Sequence, residues 1–199
     1  MSGLVNPREV ALFPLQTVLF PGGLLPLRIF EARYMQMVSA CLRDSESFGV
    51  CLIREGKEVG APAVPHSVGC LARIAQWDMQ QLGVLNIVVR GERRFRILER
   101  RVRSDGLARA SIELLAQEDE SAVAPELAVC AQTLKAILDE GAAALVETPL
   151  RLESSSWVSA RLTEFLPLPL ALKQRVLEID EGGKRLELLC DALHDQKEE

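Results

Sequence analysis

The side chains with chemical potential in this sequence are two histidines, five cysteines and a run of arginines. His66 is followed by Ser67 and His194 by Asp195, so each could on paper join a Ser-His-Asp relay. Chain neighbours rarely reach the geometry of such a relay, and no G-x-S-x-G elbow presents a nucleophile. Cys41, Cys51, Cys70, Cys130 and Cys190 contain no C-x-x-C pair and offer no metal-ligand spacing. Glu118-Asp119-Glu120 reads as a solvated linker rather than a cation site. Gly183-Lys184 is followed by Arg185, and Glu178 stands where a phosphate cradle needs its first glycine. The sequence therefore predicts no catalytic residue, no metal and no cofactor.

The arginines are the stronger signal. Arg90, Arg93, Arg94, Arg96, Arg100, Arg101 and Arg103 face only Glu92 and Glu99 within one predicted hairpin region. A basic strand face could track a phosphate backbone, with Trp77 stacking on a base. An acidic protein partner is another use of the same charges, and a solvated outer strand face is the plainest. Arg90, Arg94, Arg96 and Arg101 are the candidate patch for either ligand. Across the whole chain the balance is the opposite: 23 Lys+Arg against 28 Asp+Glu give a formal charge of −5. That argues against indiscriminate binding to nucleic acid or anionic lipid.

These residues sit on two different kinds of chain. Residues 1–116 hold 15 basic and 11 acidic side chains, and residues 117–199 hold 8 and 17. The shift coincides with Gln117-Glu118-Asp119-Glu120-Ser121, which predicts a β subdomain over 1–117 and a helical one over 118–199. In the first, Phe48–Ile53, Val68–Trp77 and Leu82–Arg90 read as strands. Arg94–Val102 alternates, with Arg94 and Arg96 on one face and Phe95 and Ile97 on the other. Asp105-Gly106 is a hairpin signal leading into Leu107–Leu115, and Trp77-Asp78-Met79-Gln80 reads as a hairpin loop. One helix, Glu31–Leu42, carries Tyr34, Val38, Cys41 and Leu42 at helical spacing. In the second, an apolar stripe runs from just after Pro125 to Gly141, and Ser154–Ser156 cap a helix that Pro167 ends. A helix over about 170–179 follows, and Gly182-Gly183 separates it from the last. The class is α+β, with short loops favouring an antiparallel bundle.

The most specific stretch runs from Leu12 to Tyr34, LFPLQTVLFPGGLLPLRIFEARY: an apolar strand, a Pro21-Gly22 turn, a second apolar strand and a helix start. Pro14 and Pro26 cannot donate ladder hydrogen bonds and are expected at strand ends or edges. With Phe48-Gly49-Val50, Gly56 and Gly60, Val68-Gly69-Cys70-Leu71-Ala72, Gly91 with Arg94-Phe95, and Lys173-Gln174 through Arg185-Leu186, this segment resembles the Lon N-terminal (substrate-binding) domain family. Ala32 departs from the proline that many relatives carry there. The resemblance implies a PUA-like β pseudo-barrel with one inserted helix, followed by a C-terminal antiparallel helical bundle. It implies a non-enzymatic protein- or peptide-binding module, because the chain ends before an ATPase or peptidase module could begin; the scattered cysteines, with no secretory signal, predict a cytoplasmic one. Unfolded or apolar polypeptide segments are the implied ligands, with a separate protease or chaperone as partner and no membrane. A surface that captures such segments exposes apolar groups beside charges. Phe20, Leu24, Leu25, Arg28, Glu31 and Arg33 are the expected contacts, while Phe13, Leu15, Phe30 and Tyr34 are expected in the core. Because PUA-like folds also bind RNA, the arginine patch supports an RNA-binding alternative.

Overall fold

The computed structural model describes residues 8–81, 83–117 and 121–195. The expected linker residues 118–120 and the strand start at Leu82 lie outside them. The chain divides into two compact units, Met1–Leu115 and Ala116–Glu199, each with its own core.

The first unit is built on seven strands: β1 (Arg8–Leu15), β2 (Leu24–Ile29), β3 (Phe48–Glu55), β4 (Val64–Pro65), β5 (Val68–Gln81), β6 (Val84–Val102) and β7 (Ala108–Leu114). All pairings are antiparallel except β1 with β3. That parallel contact needs a crossover, and the chain between the two strands supplies it as β2 and the helix α1 (Ala32–Asp44). Pairing runs β1–β7–β6–β5–β3 and returns from β3 to β1, while β2 lies along β6.

β1 is buried throughout Val10–Leu15 because both its faces meet apolar side chains. Ala11, Phe13 and Leu15 enter one core with Phe48, Ile87 and Val89; Val10 and Leu12 enter a second with Leu71, Phe95 and Ile112. Tyr34, Met37, Val38 and Cys41 of α1 close the first core. Ser45, at a left-handed φ of 54°, ends that helix and donates its N–H to Cys41 O. The Asp105-Gly106 turn joins β6 to β7 as its residues require, Gly106 standing at φ 82°.

Two expectations change. Leu82–Arg90 and Arg94–Val102 are expected as separate strands; from Val84 on, they are parts of one 19-residue strand, β6. Trp77-Asp78-Met79-Gln80 is not a loop but the continuing strand β5. Register shifts in β5 and β6 let these long strands bend without breaking.

In the second unit, a 3₁₀ turn at Pro125–Leu127 leads into α2 (Ala128–Asp139). α3 (Ser155–Phe165), α4 (Leu170–Glu178) and α5 (Gly182–Asp195) follow. Ser154 caps α3 by accepting the N–H of Trp157 at 3.3 Å. α3 packs on α2, α4 and α5, and is buried from Val158 to Thr163. Gly182 does not separate helices but begins α5, where a Cβ would stand 2.5 Å from Ser156 Oγ. A side chain there would push the two helix starts apart.

Candidate functional site

Of the expected binding residues, Leu24, Leu25 and Arg28 fall on β2, Glu31 and Arg33 at the start of α1, and Phe20 before the turn into β2. β2 pairs with β6 from Leu24↔Arg90 to Ile29↔Leu85 with no register shift. Pro26 is exposed on this strand, as a residue without an N–H should be. Leu24 and Leu25 are half-buried and Arg28 is exposed. Phe20, expected as a contact, is 0% exposed and belongs to the core. The Pro21–Gly23 turn hydrogen-bonds to Gly91 and the Phe20 carbonyl packs on that glycine, which holds the Phe20 backbone against β6.

Arg33 is also a correction: it is only 8% exposed. Its guanidinium donates to Glu31 at 2.9 Å and to Gly106 O at 3.1 Å, and lies 4.7 Å from the Tyr34 ring centroid. It ties the start of α1 to the β6–β7 turn and presents little to a ligand. Glu31 is half-buried in the same pair.

Phe30, expected in the core, is 55% exposed. Ile29 takes the inward place on β2, so the next side chain faces out. Trp77, read as a base-stacking candidate, is 60% exposed, and Met79, which the sequence reading gave no role, is 47% exposed. Their spacing of two was the available signal, hidden by reading the segment as a loop. All three mark one end of the sheet, where β2 and β5 finish and β6 begins. An open groove of about 350 Å³ crosses the three strands, and of these three side chains Trp77 lines it. Pro26, Leu27 and Arg28 of β2, Trp77 and Asp78 of β5, and Asn86 of β6 are among its lining residues. Register sets Arg28, Asn86 and Asp78 in one row. The arrangement can hold apolar side chains between opposite charges; it places no nucleophile beside a base.

The arginine patch is not one face. Between Cys70↔Arg94 and Ala72↔Gly91, β6 carries one residue more than β5, and the extra residue reverses the alternation. Arg94 therefore turns inward, 2% exposed, and lies on the opposite face from Arg90. Arg101 and Arg109 both hold Glu9, whose carboxyl the Arg109 hydrogen bond pulls below its ordinary range. Arg96 lies 3.9 Å from Glu113, and Arg100 donates to Ala63 O. Most of this charge is spent within the unit rather than offered to a polyanion.

Of the paper catalysts, His66 donates its backbone N–H to Leu52 O at the β4 edge, and the side chains of His194 and Asp195 lie outside the described ones. Among the described residues, no group of three or more His, Cys, Asp and Glu could hold a metal. No helix among them is long and apolar enough to cross a membrane.

Comparison with known proteins identifies the family and the fold. The family described as the ATP-dependent protease La (LON) substrate-binding domain matches residues 9–195. The crystal structure of a Lon N-terminal domain protein from Xanthomonas campestris is 35% identical with a TM-score of 0.79, covering 92% of this chain and 98% of that one. The Lon protease of Anaeromyxobacter dehalogenans is 28% identical over 96% of this chain, and Lon protease 2 of Myxococcus xanthus 25% over 98%. The chain spans about a quarter of the length of those two proteases.

Proposed function

Because the chain belongs to the family of the ATP-dependent protease La (LON) substrate-binding domain, we propose that it is a polypeptide-binding module with no catalysis of its own. The observation that carries this reading is the open groove across β2, β6 and β5, where the largely exposed Trp77 stands with Pro26 and Leu27 among the lining residues. Scattered exposed apolar residues are ordinary; one that lines an open groove with other apolar side chains marks an interaction surface. The ligand is an unfolded or apolar stretch of protein, and the module works with a separate protease or chaperone in the cytoplasm. We read the closed pairing circuit β1–β7–β6–β5–β3–β1 as a PUA-like pseudo-barrel and the second unit as an antiparallel bundle. The RNA-binding alternative loses support where Arg94 is buried and Arg101 is held by Glu9.

The test is a titration of the chain with a permanently unfolded protein, reduced and carboxymethylated α-lactalbumin, against its native form. Saturable binding to the unfolded form alone is the expected result. Equal binding to both, or to neither, overturns the proposal.

A further inference from the structure

Gly91 of β6 donates its N–H to Gly23 O and accepts from Gly22 N–H, both at 2.8 Å, so its backbone polar groups point toward β2. No register shift interrupts β2–β6, and in an antiparallel ladder the direction of these groups alternates residue by residue. Val89, Ile87 and Leu85 therefore also bond toward β2, and Leu25, Leu27 and Ile29 answer them. The intervening residues Leu24, Pro26 and Arg28 turn their backbone groups the other way. Pro26, which has no N–H, occupies one of these outward places, as the ladder demands.

Among the described residues β2 pairs with β6 alone. Its outer edge thus presents two N–H donors, from Leu24 and Arg28, and three C=O acceptors, from Leu24, Pro26 and Arg28. No turn or loop hydrogen bond reaches Leu24, Pro26 or Arg28. Leu25 and Leu27 lie beside this edge, only half-buried against the core. Arg28 is exposed and makes no ion pair among the described residues.

We infer that the β2 edge takes up an extended polypeptide segment by strand addition. The edge fixes the occupant's chemistry. Backbone donors and acceptors spaced two residues apart are matched by another extended backbone, in which three N–H groups meet the three carbonyls. An apolar side chain of that segment covers Leu25 and Leu27, and an acidic one faces Arg28. Pro26 removes one donor and so keeps the edge from pairing indiscriminately, leaving affinity dependent on side chains as well. This inference rests on the polypeptide-binding reading and adds to it a backbone mode of recognition.

The experiment uses the full chain and a labelled ten-residue peptide of alternating Val and Thr with one central Glu. Two derivatives are N-methylated on alternate amides, one on the odd and one on the even set. A strand bound by one edge tolerates methylation on the set facing solvent and not on the other. The expected result is at least a tenfold loss of affinity for one derivative and no more than twofold for the other. On the protein side, Arg28→Pro removes an outward N–H without touching the β6 ladder and is expected to lose at least tenfold. Arg28→Ala keeps that N–H and should lose no more than about threefold. Amide exchange at Leu24 and Arg28 should slow at least tenfold in the saturated complex.

Equal binding of both methylated peptides, or equal losses for the two Arg28 variants, overturns strand addition while binding to unfolded α-lactalbumin leaves the broader reading standing. Failure to bind either the parent peptide or the unfolded protein overturns both. A β2-dependent dimer in sedimentation, abolished by Arg28→Pro, would also overturn it, because a second copy would then occupy the edge.

Discussion

A Cβ placed on Gly91 would stand 2.0 Å from the carbonyl oxygen of Phe20. The two backbones touch where the turn after β1 folds onto β6, and Gly22 and Gly23 hydrogen-bond to Gly91 there. The obstacle is backbone, which no rotamer change can relieve. Gly91→Ala should therefore cost about 1–3 kcal/mol through overpacking. Thermal unfolding checks it: on the order of 2–4 °C per kcal/mol is expected for a chain of this size.

Arg33 makes a second stability prediction. Its guanidinium joins Glu31, the Gly106 carbonyl and the Tyr34 ring, and its Nε is buried without a partner. Arg33→Ala frees Gly106 O and Glu31 together and should cost about 1–3 kcal/mol. Since the side chain is almost wholly covered, affinity for unfolded α-lactalbumin should stay within about twofold. A tenfold loss of affinity in the folded variant would restore Arg33 as a contact.

The sequence-to-structure relation is uneven for a physical reason. The segment from Leu12 to Tyr34 was legible because proline and glycine constrain the backbone locally. The Asp105-Gly106 hairpin and the Ser154 cap were legible likewise, since each depends on a few adjacent residues. The faces of β6 were not. Which way Arg94 points depends on an extra residue accommodated against β5, a property of the pairing that alternation within β6 cannot reveal. Phe20 and Phe30 exchanged roles for a similar reason: the turn packed on Gly91 fixes the backbone of one, and the end of β2 turns the other outward. Reading Trp77-Asp78-Met79-Gln80 as a hairpin loop hid the place of Met79 on β5.

Burial pushes the Cys51 thiol up to about 12. Folded and unfolded chains both hold that proton below pH ~9. Above it the unfolded chain releases the proton and the folded chain keeps it, so stability falls as pH rises from about 9 to about 12. The slope from one such group is at most about 1.4 kcal/mol per pH unit. Urea midpoints at pH 8, 9 and 10 should fall more steeply for the parent chain than for Cys51→Ala. Parallel slopes would show that Cys51 carries none of the decline.

The last prediction separates polypeptide from nucleic-acid recognition by the arginines, which only the nucleic-acid reading needs. Trp77 and Met79 are more than two-fifths exposed, so truncating them removes little packing from the core. Trp77→Ala and Met79→Ala should each leave the thermal midpoint within about 2 °C. If they contact an apolar segment, each should weaken binding of unfolded α-lactalbumin about tenfold, on the order of 1.4 kcal/mol. Arg101→Gln is the counterpart: Glu9 holds that guanidinium and it lies outside the groove lining, so polypeptide affinity should stay within about twofold. A nucleic-acid module would show the reverse, with retardation of single-stranded RNA that weakens with salt and with Arg96→Gln or Arg101→Gln. Titrating all four variants against both probes decides the matter, because loss at the arginines with none at Trp77 and Met79 would move the site from the groove to β6.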